Sequence, residues 1–290
     1  MALNIQTLKT RSLTAAIFVV VMAAGLFTGP WMFFLLFSVI HFGCWHEYQK
    51  LVGEIYPDYK QISSFHKTGV QIAGWCIMLY FTNDYFAFRT LSLHSLGFWL
   101  GSIFVFVLPI IELLFSKDVN ARNIGYSAFG IVYISLSWAT MIGLRTYGLD
   151  VHSHQDSGWI FPSVLIFSIW INDTMAYIVG SLIGKTPFSP ISPKKTWEGT
   201  IGGAVLCCLI IGFGASAVFN ITRESAFGIS AIAAVLGTVG DLLESKFKRM
   251  AGVKDSGSLM PGHGGFLDRF DSLLLATPFV YIYVVILYLN

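Results

Sequence analysis

The chain has 290 residues, of which 55% are apolar, 16% aromatic and only 12% charged, against roughly 25% charged in soluble domains. That balance excludes a soluble enzyme and points to a membrane protein, while a formal net charge of +2 is by itself silent about partners. No nucleic acid is expected among them, and Cys44, Cys76, Cys207 and Cys208 lie in apolar runs without metal-ligand spacing, so they read as small buried hydrophobes.

In lipid every backbone polar group must be bonded within its own segment, and a hydrocarbon core of about 30 Å takes roughly 20 apolar residues of helix. Apolar runs bounded by charged or turn residues predict nine transmembrane helices, at about 12–28, 31–46, 69–83, 96–115, 124–144, 159–183, 200–220, 226–248 and 272–289. The expected fold is therefore all-α and polytopic. The first run opens on Lys9 and Arg11 like a secretory signal, but it is long and lacks a small-x-small site before a polar segment, so it reads as a retained helix.

Basic residues test the helix count, because Lys and Arg favour the inner face of a membrane. Lys9 and Arg11, then Lys50, Lys60 and Lys67, then Lys117 and Arg122, then Lys185, Lys194 and Lys195, then Lys246, Lys248, Arg249, Lys254 and Arg269 fall on alternate connections. Only Arg89, Arg145 and Arg223 fall on the other side. This division puts the N-terminus in the cytoplasm and the C-terminus outside. Helices one to four then occupy residues 1–123, helix five and its connection 124–158, and helices six to nine, with inner loops 184–199 and 245–272, residues 159–290. A short chain without a long polar N-terminal tail favours a bacterial inner membrane, its dense polar loops facing the cytoplasm.

Three polar features stand out on the inner side. The loop GKTPFSPISPKKTWEGT, 184–200, has three prolines and the adjacent Lys194 and Lys195; it reads as a rigid loop offering two ammonium groups to phosphates or anionic headgroups, or, taken alone, as ordinary positive charge on the inner face. Gly180 to Thr186 imitates a phosphate-binding P-loop, but only three residues separate its glycines and no strand precedes it. Asn172 and Asp173 sit inside an apolar run, where a carboxylate costs about 2.5–3.5 kcal/mol; they read as headgroup or metal-shell positions in a cavity, or as an interhelical hydrogen bond. Glu112 lies near the inner end of its run and can snorkel to the surface.

The third feature runs from Asp241 to Asp271. On a helix, Asp241, Glu244, Ser245 and Lys248 share one face, and Asp268 and Asp271 sit side by side at i, i+3. Carboxylates that close repel unless a cation joins them, and oxygen-only ligands favour Mg²⁺, which also shares phosphate oxygens of a substrate. Gly264 and Gly265 give a loop whose backbone N–H groups can approach an anion. His263 offers a phosphate donor, a proton shuttle or a hydrogen bond that orders the loop. Metal, basic clamp and glycine loop together suit charge stabilisation at a phosphorus centre.

Ser245-Lys-Phe-Lys248-Arg249, Lys254-Asp255, Pro261-Gly-His263-Gly264-Gly265 and Asp268-Arg269-Phe-Asp271 resemble the signature of the phosphatidate cytidylyltransferase, or CDP-diacylglycerol synthase, family. INDTMAYIVGSLIGKTPFSPISPKKTWEGT, 171–200, is similar too, so the likeness covers about the last 120 residues, and the first five helices match only as apolar spans. Met260 stands where the family pattern leads one to expect Leu, Ile or Phe, a volume-conserving difference. The resemblance implies transfer of CMP from CTP to phosphatidic acid, giving CDP-diacylglycerol and pyrophosphate with Mg²⁺. It implies Asp241, Asp268 and Asp271 on metal; Lys248, Arg249, Lys254 and Arg269 on phosphates; and Ser245, His263, Gly264 and Gly265 shaping the site. Lys194 and Lys195 would hold a substrate phosphate, and Asn172 and Asp173 would line the lipid entry. A homodimer and, in some members, a monovalent cation such as K⁺ beside Mg²⁺ are further implications. A CDP-alcohol phosphotransferase would need Asp-Gly where Asp271 precedes Ser272, and a transporter of anionic phosphorylated solutes would need paired repeats with midplane polar groups.

Overall fold

The computed structural model describes residues 5–88, 90–115, 120–149, 156–258 and 264–289. His263 and Met260 lie outside the described residues, as do Arg89 and Lys117 of the charge pattern. In chain order the elements are α1 (Ile5–Phe27), α2 (Pro30–Ile55), the short α3 (Pro57–Lys60), α4 (Ser64–Tyr80), β1 (Ala87–Phe88), β2 (Leu91–Ser92) and α5 (Leu93–Phe115). Then come α6 (Ala121–Gly130) and α7 (Leu136–Thr146), joined by a π turn at Ile131–Ser135, followed by α8 (Ile160–Ile183), β3 (Pro187–Ser189), β4 (Ser192–Thr196), α9 (Trp197–Phe219), α10 (Arg223–Met250) and α11 (Leu267–Leu289).

Helix occurs at each of the nine expected intervals. Six helical stretches among the described residues are long and apolar enough to cross a membrane: Leu93–Leu114, Ala121–Thr146, Ile160–Ile183, Trp197–Phe219, Arg223–Met250 and Leu267–Tyr288. The chain is thus an all-α integral membrane protein; among the described residues strands are confined to two small antiparallel ribbons, β1–β2 and β3–β4, and one isolated bridge, Leu149 with Asp156.

The largest departure from expectation is α2, which runs to Ile55 instead of stopping near 46. Charge at His46, Glu47 and Lys50 reads as a boundary, yet the helical period of buried apolar residues continues through Cys44, Tyr48, Leu51 and Val52. One face therefore stays in the core, and it carries Glu47 in with it, only 6% exposed. Glu112 on α5 also finds an inward partner, with Oε2 3.2 Å from His66 Nδ1.

In the C-terminal half α8 packs on α9, α9 on α10 and α10 on α11, while α7 lies against α11. An aromatic seam ties the halves together: Trp138 of α7 meets Phe37 of α2 at 5.2 Å and Phe270 of α11 at 5.5 Å between ring centroids. Gly240 of α10 sets the closest helix contact near the polar residues, since a Cβ there would stand 2.5 Å from the Asp271 carbonyl oxygen. α9 starts at Thr196, whose hydroxyl accepts from Gly199 N at 3.2 Å, a side-chain cap for otherwise unpaired amides. The proline-rich loop is an ordered ribbon, with Pro187 opposite Thr196 and Ser189 opposite Ser192.

Candidate active site

The β3–β4 ribbon is held in place by Glu198. Its carboxylate accepts from Lys185 N at 3.1 Å, Thr186 N at 3.1 Å and Thr186 Oγ1 at 2.8 Å. So fixed, β4 brings Lys194 and Lys195 to a cavity of about 420 Å³, shared with Asn172 and Asp173 of α8 and with Thr238 and Asp241 of α10. Asp173 stands ten residues before the end of α8, about 15 Å along its axis, so the cavity extends well along that helix. Asn172 is 3% exposed and its Oδ1 has no hydrogen-bond partner. Lys195 Nζ forms an ion pair with Asp241 Oδ2.

Asp241 also faces Ser245, whose Oγ donates to Oδ1 at 3.3 Å one helical turn on. A further turn along that face, Lys248 Nζ pairs with Glu244 of its own helix and with Asp268 Oδ1 of α11 at 2.6 Å. The expected face of α10 thus joins two constellations, the cavity and the start of α11. Asp268 Oδ2 accepts from Ser256 N at 2.8 Å, Ser256 Oγ at 2.9 Å and Gly265 N at 2.8 Å. The turn into this contact needs Gly264, whose φ of 81° is costly for any residue with a Cβ. Asp271 accepts from Ser272 N at 2.6 Å, and its backbone abuts Gly240, beside Asp241.

The other expected residues are more open. Arg249 turns back to donate to Val253 O at 3.3 Å, closing the end of α10. Lys254 and Arg269 are exposed. The geometry therefore unites Asn172, Asp173, Lys194, Lys195 and Asp241 in one group, and Lys248, Asp268 and Gly265 in another. Among the described residues no three His, Cys, Asp or Glu side chains form a ready metal cage.

The donor set nevertheless suits a hard cation. Asp173 and Asp241 line one cavity, the Asp271 backbone lies against Gly240 beside Asp241, and the Lys195 ammonium already sits on Asp241. Buried Asn172 Oδ1 is an acceptor without a donor, a group that a cation or a substrate donor completes. Mg²⁺ usually takes one or two carboxylates and fills its shell with water and substrate phosphate, so two of these carboxylates suffice.

Sequence reasoning missed Glu47 and Ser256. Glu47 Oε2 accepts from Ser256 Oγ at 2.7 Å and Leu267 N at 2.9 Å, and Oε1 from Phe266 N at 2.9 Å. The available signal was positional: Glu47 shares its helix face with Cys44 and Leu51, both buried.

Lysines and carboxylates thus line one cavity in a bundle of apolar helices, an arrangement suited to anionic phosphate groups. The Cytidylyltransferase family model matches residues 9–287, and the chain belongs to that family. It is similar to the phosphatidate cytidylyltransferase of Staphylococcus saprophyticus, 36% identical over 183 residues, covering 62% of this chain and 66% of the relative. The Staphylococcus haemolyticus enzyme of the same name is 34% identical over 202 residues, covering 66% and 74%. That of Bacillus subtilis is 34% identical over 187 residues, covering 61% and 64%. The matched stretch thus spans about two thirds of the length of most of these relatives.

Proposed function

We propose that this chain is a phosphatidate cytidylyltransferase, a nucleotidyltransferase that makes CDP-diacylglycerol and pyrophosphate from CTP and phosphatidic acid for phospholipid synthesis. The observation that carries the proposal is the cavity in which Lys194 and Lys195 face Asp173 and Asp241 inside a membrane bundle, together with the family of the chain. A phosphate monoester oxygen of the lipid attacks the α-phosphorus of CTP, forming the new P–O–P bond. The α–β bond breaks and its electron pair leaves with pyrophosphate. The nucleophile is already an anion, so no side chain need act as general base. What the protein must supply is relief of the repulsion between two anions.

Lys194 and Lys195 meet the lipid phosphate at the mouth of the cavity, and exchange of the Lys195 ammonium from Asp241 to that phosphate frees the carboxylate. Tyr177 and Ala176 of α8 line the same cavity, and Tyr177 is 77% exposed, so this opening would be the route for the acyl chains. Asp241 and Asp271 would hold Mg²⁺, with Asp268 Oδ1 available where Lys248 yields it; the ion would neutralise charge on the reacting phosphates. Lys248, Arg249, Lys254 and Arg269 would steady the CTP phosphates, with Ser245, His263 and the Gly264-Gly265 backbone shaping that end. A monovalent cation such as K⁺ is a second candidate for the carboxylate group.

The finer topology belongs to the same proposal: nine crossings, N-terminus in the cytoplasm and C-terminus outside, a homodimer in a bacterial inner membrane, and a cytoplasm-facing site in residues 159–290. The alternation of basic residues between the connections supports it. The test is product formation by purified protein from CTP and phosphatidate in detergent, with and without Mg²⁺, for the wild type and Asp268→Asn. Metal-dependent CDP-diacylglycerol from the wild type, with loss in a folded variant, supports the proposal. A folded wild type that makes none with several lipid chain lengths refutes it.

A further inference from the structure

We infer that Glu47, on α2 and far before the signature segment that begins at Ser245, is a positioning residue for the reaction. Only the kinetic arm of this inference rests on the function proposed above. Two of the amides that Glu47 accepts, Phe266 N and Leu267 N, open α11. First-turn amides have no partner within their own helix and carry the positive end of its dipole. A carboxylate from α2 therefore does for α11 what a local capping residue normally does. The third donor is Ser256 Oγ, whose single proton is shared between Glu47 Oε2 at 2.7 Å and Asp268 Oδ2 at 2.9 Å, and Asp268 continues to Lys248.

The surrounding chain is shaped to admit this carboxylate. A Cβ on either Gly257 or Gly265 would strike Glu47. Glu47 also borders a second cavity, of about 380 Å³, with His46, Lys50 and Ser258, so it is not sealed in apolar packing. It does not line the cavity of Lys195 and Asp241, and acts on the chemistry only through others. Asp268 and Asp271 ride on the first turns of α11, and the Asp271 backbone rests against Gly240. Any slip at the start of α11 moves both carboxylates relative to Asp241.

The test compares Glu47→Gln with the wild type. Glutamine keeps the length but turns an NH₂ group toward backbone donors, so one amide loses its acceptor. Hydrogen exchange of the peptide at residues 264–270 should quicken, while the melting temperature in detergent stays close to the wild type. kcat should fall by about tenfold or more, with KM for phosphatidate within about twofold, since Lys194 and Lys195 ride on a different element. Ser256→Ala should lose less, and the double variant should lose no more than Glu47→Gln alone, because both act through one loop. Glu112→Gln, which removes a carboxylate that pairs with His66 instead, should alter neither exchange at 264–270 nor kcat.

Unchanged exchange in Glu47→Gln overturns the inference, as does a kcat loss matched by Glu112→Gln or strictly additive losses with Ser256→Ala. Should Glu47→Gln fail to fold, exchange and kcat in Ser256→Ala decide by the same criteria. A wild type that makes no CDP-diacylglycerol refutes the functional proposal instead, and exchange at 264–270 then decides the role of Glu47 alone.

Discussion

Replacing Lys248 by Met keeps the length and apolar stem of the side chain and withdraws its ammonium from between two carboxylates. The Glu244 side chain is 1% exposed, that of Asp268 9% and that of Lys248 12%, so water and salt screen the trio weakly. Asp268 retains Ser256 N, Ser256 Oγ and Gly265 N as donors. Glu244 loses its ion-pair partner, and Oε1 already lacks a hydrogen bond. Removing one member of a buried pair costs about 3–5 kcal/mol, and the unsupported Glu244 should bear most of that cost. Adding Glu244→Gln removes the stranded charge and should restore about half or more of the loss. Thermal unfolding in detergent reads this out: at about 2–4 °C per kcal/mol, the single variant should melt about 6–20 °C below the wild type. The double variant should melt clearly above the single one. A Lys248→Met protein melting within about 2 °C of the wild type, or a double variant no more stable than the single, would refute the reasoning.

Three further expectations follow from the geometry. Lys195→Ala removes the cation opposite Asp241; a charged hydrogen bond to phosphate is worth about 1.5–3 kcal/mol, so kcat/KM for phosphatidate should fall by about 10–100-fold in steady-state assays. Gly240→Ala would set a methyl group 2.5 Å from the Asp271 carbonyl oxygen, an overpacking that costs about 1–3 kcal/mol; melting temperature and activity should fall together as α10 and α11 part. Arg145 is wholly buried and holds Asp156 by two bonds of 2.5 Å in the other half of α7's surroundings. Arg145→Ala should lower the melting temperature while the folded fraction keeps its specific activity, since neither residue lines the cavity.

The parts of the site that were legible in the sequence are those joined by local spacing. Asp241, Ser245 and Lys248 share one face of α10 because the helical repeat places them there, and the apolar runs located every long helix. Links between distant segments were not legible. Nothing in the spacing of Lys195 and Asp241 shows that β4 folds back over α10, and Glu47 meets Leu267 across 220 positions. The end of α2 was misjudged for a related reason: a charged residue reads as a membrane boundary, whereas here Glu47 is buried by the partners it satisfies. The proline-rich loop was expected to be rigid, but its ribbon pairing depends on Glu198 holding the amides of Lys185 and Thr186, a contact visible only once the chain has turned.

The central claim is that the cavity between β4, α8 and α10 joins the lipid phosphate to the α-phosphorus of CTP. Parallel incubations of purified protein and phosphatidate with CTP labelled at the α-phosphorus, and with CTP labelled at the γ-phosphorus, test it most directly. The α label should enter the lipid fraction as CDP-diacylglycerol and the γ label should appear as pyrophosphate, with both signals lost together in Asp241→Asn. Label from the γ position in the lipid, or undiminished product from Asp241→Asn, would contradict the account.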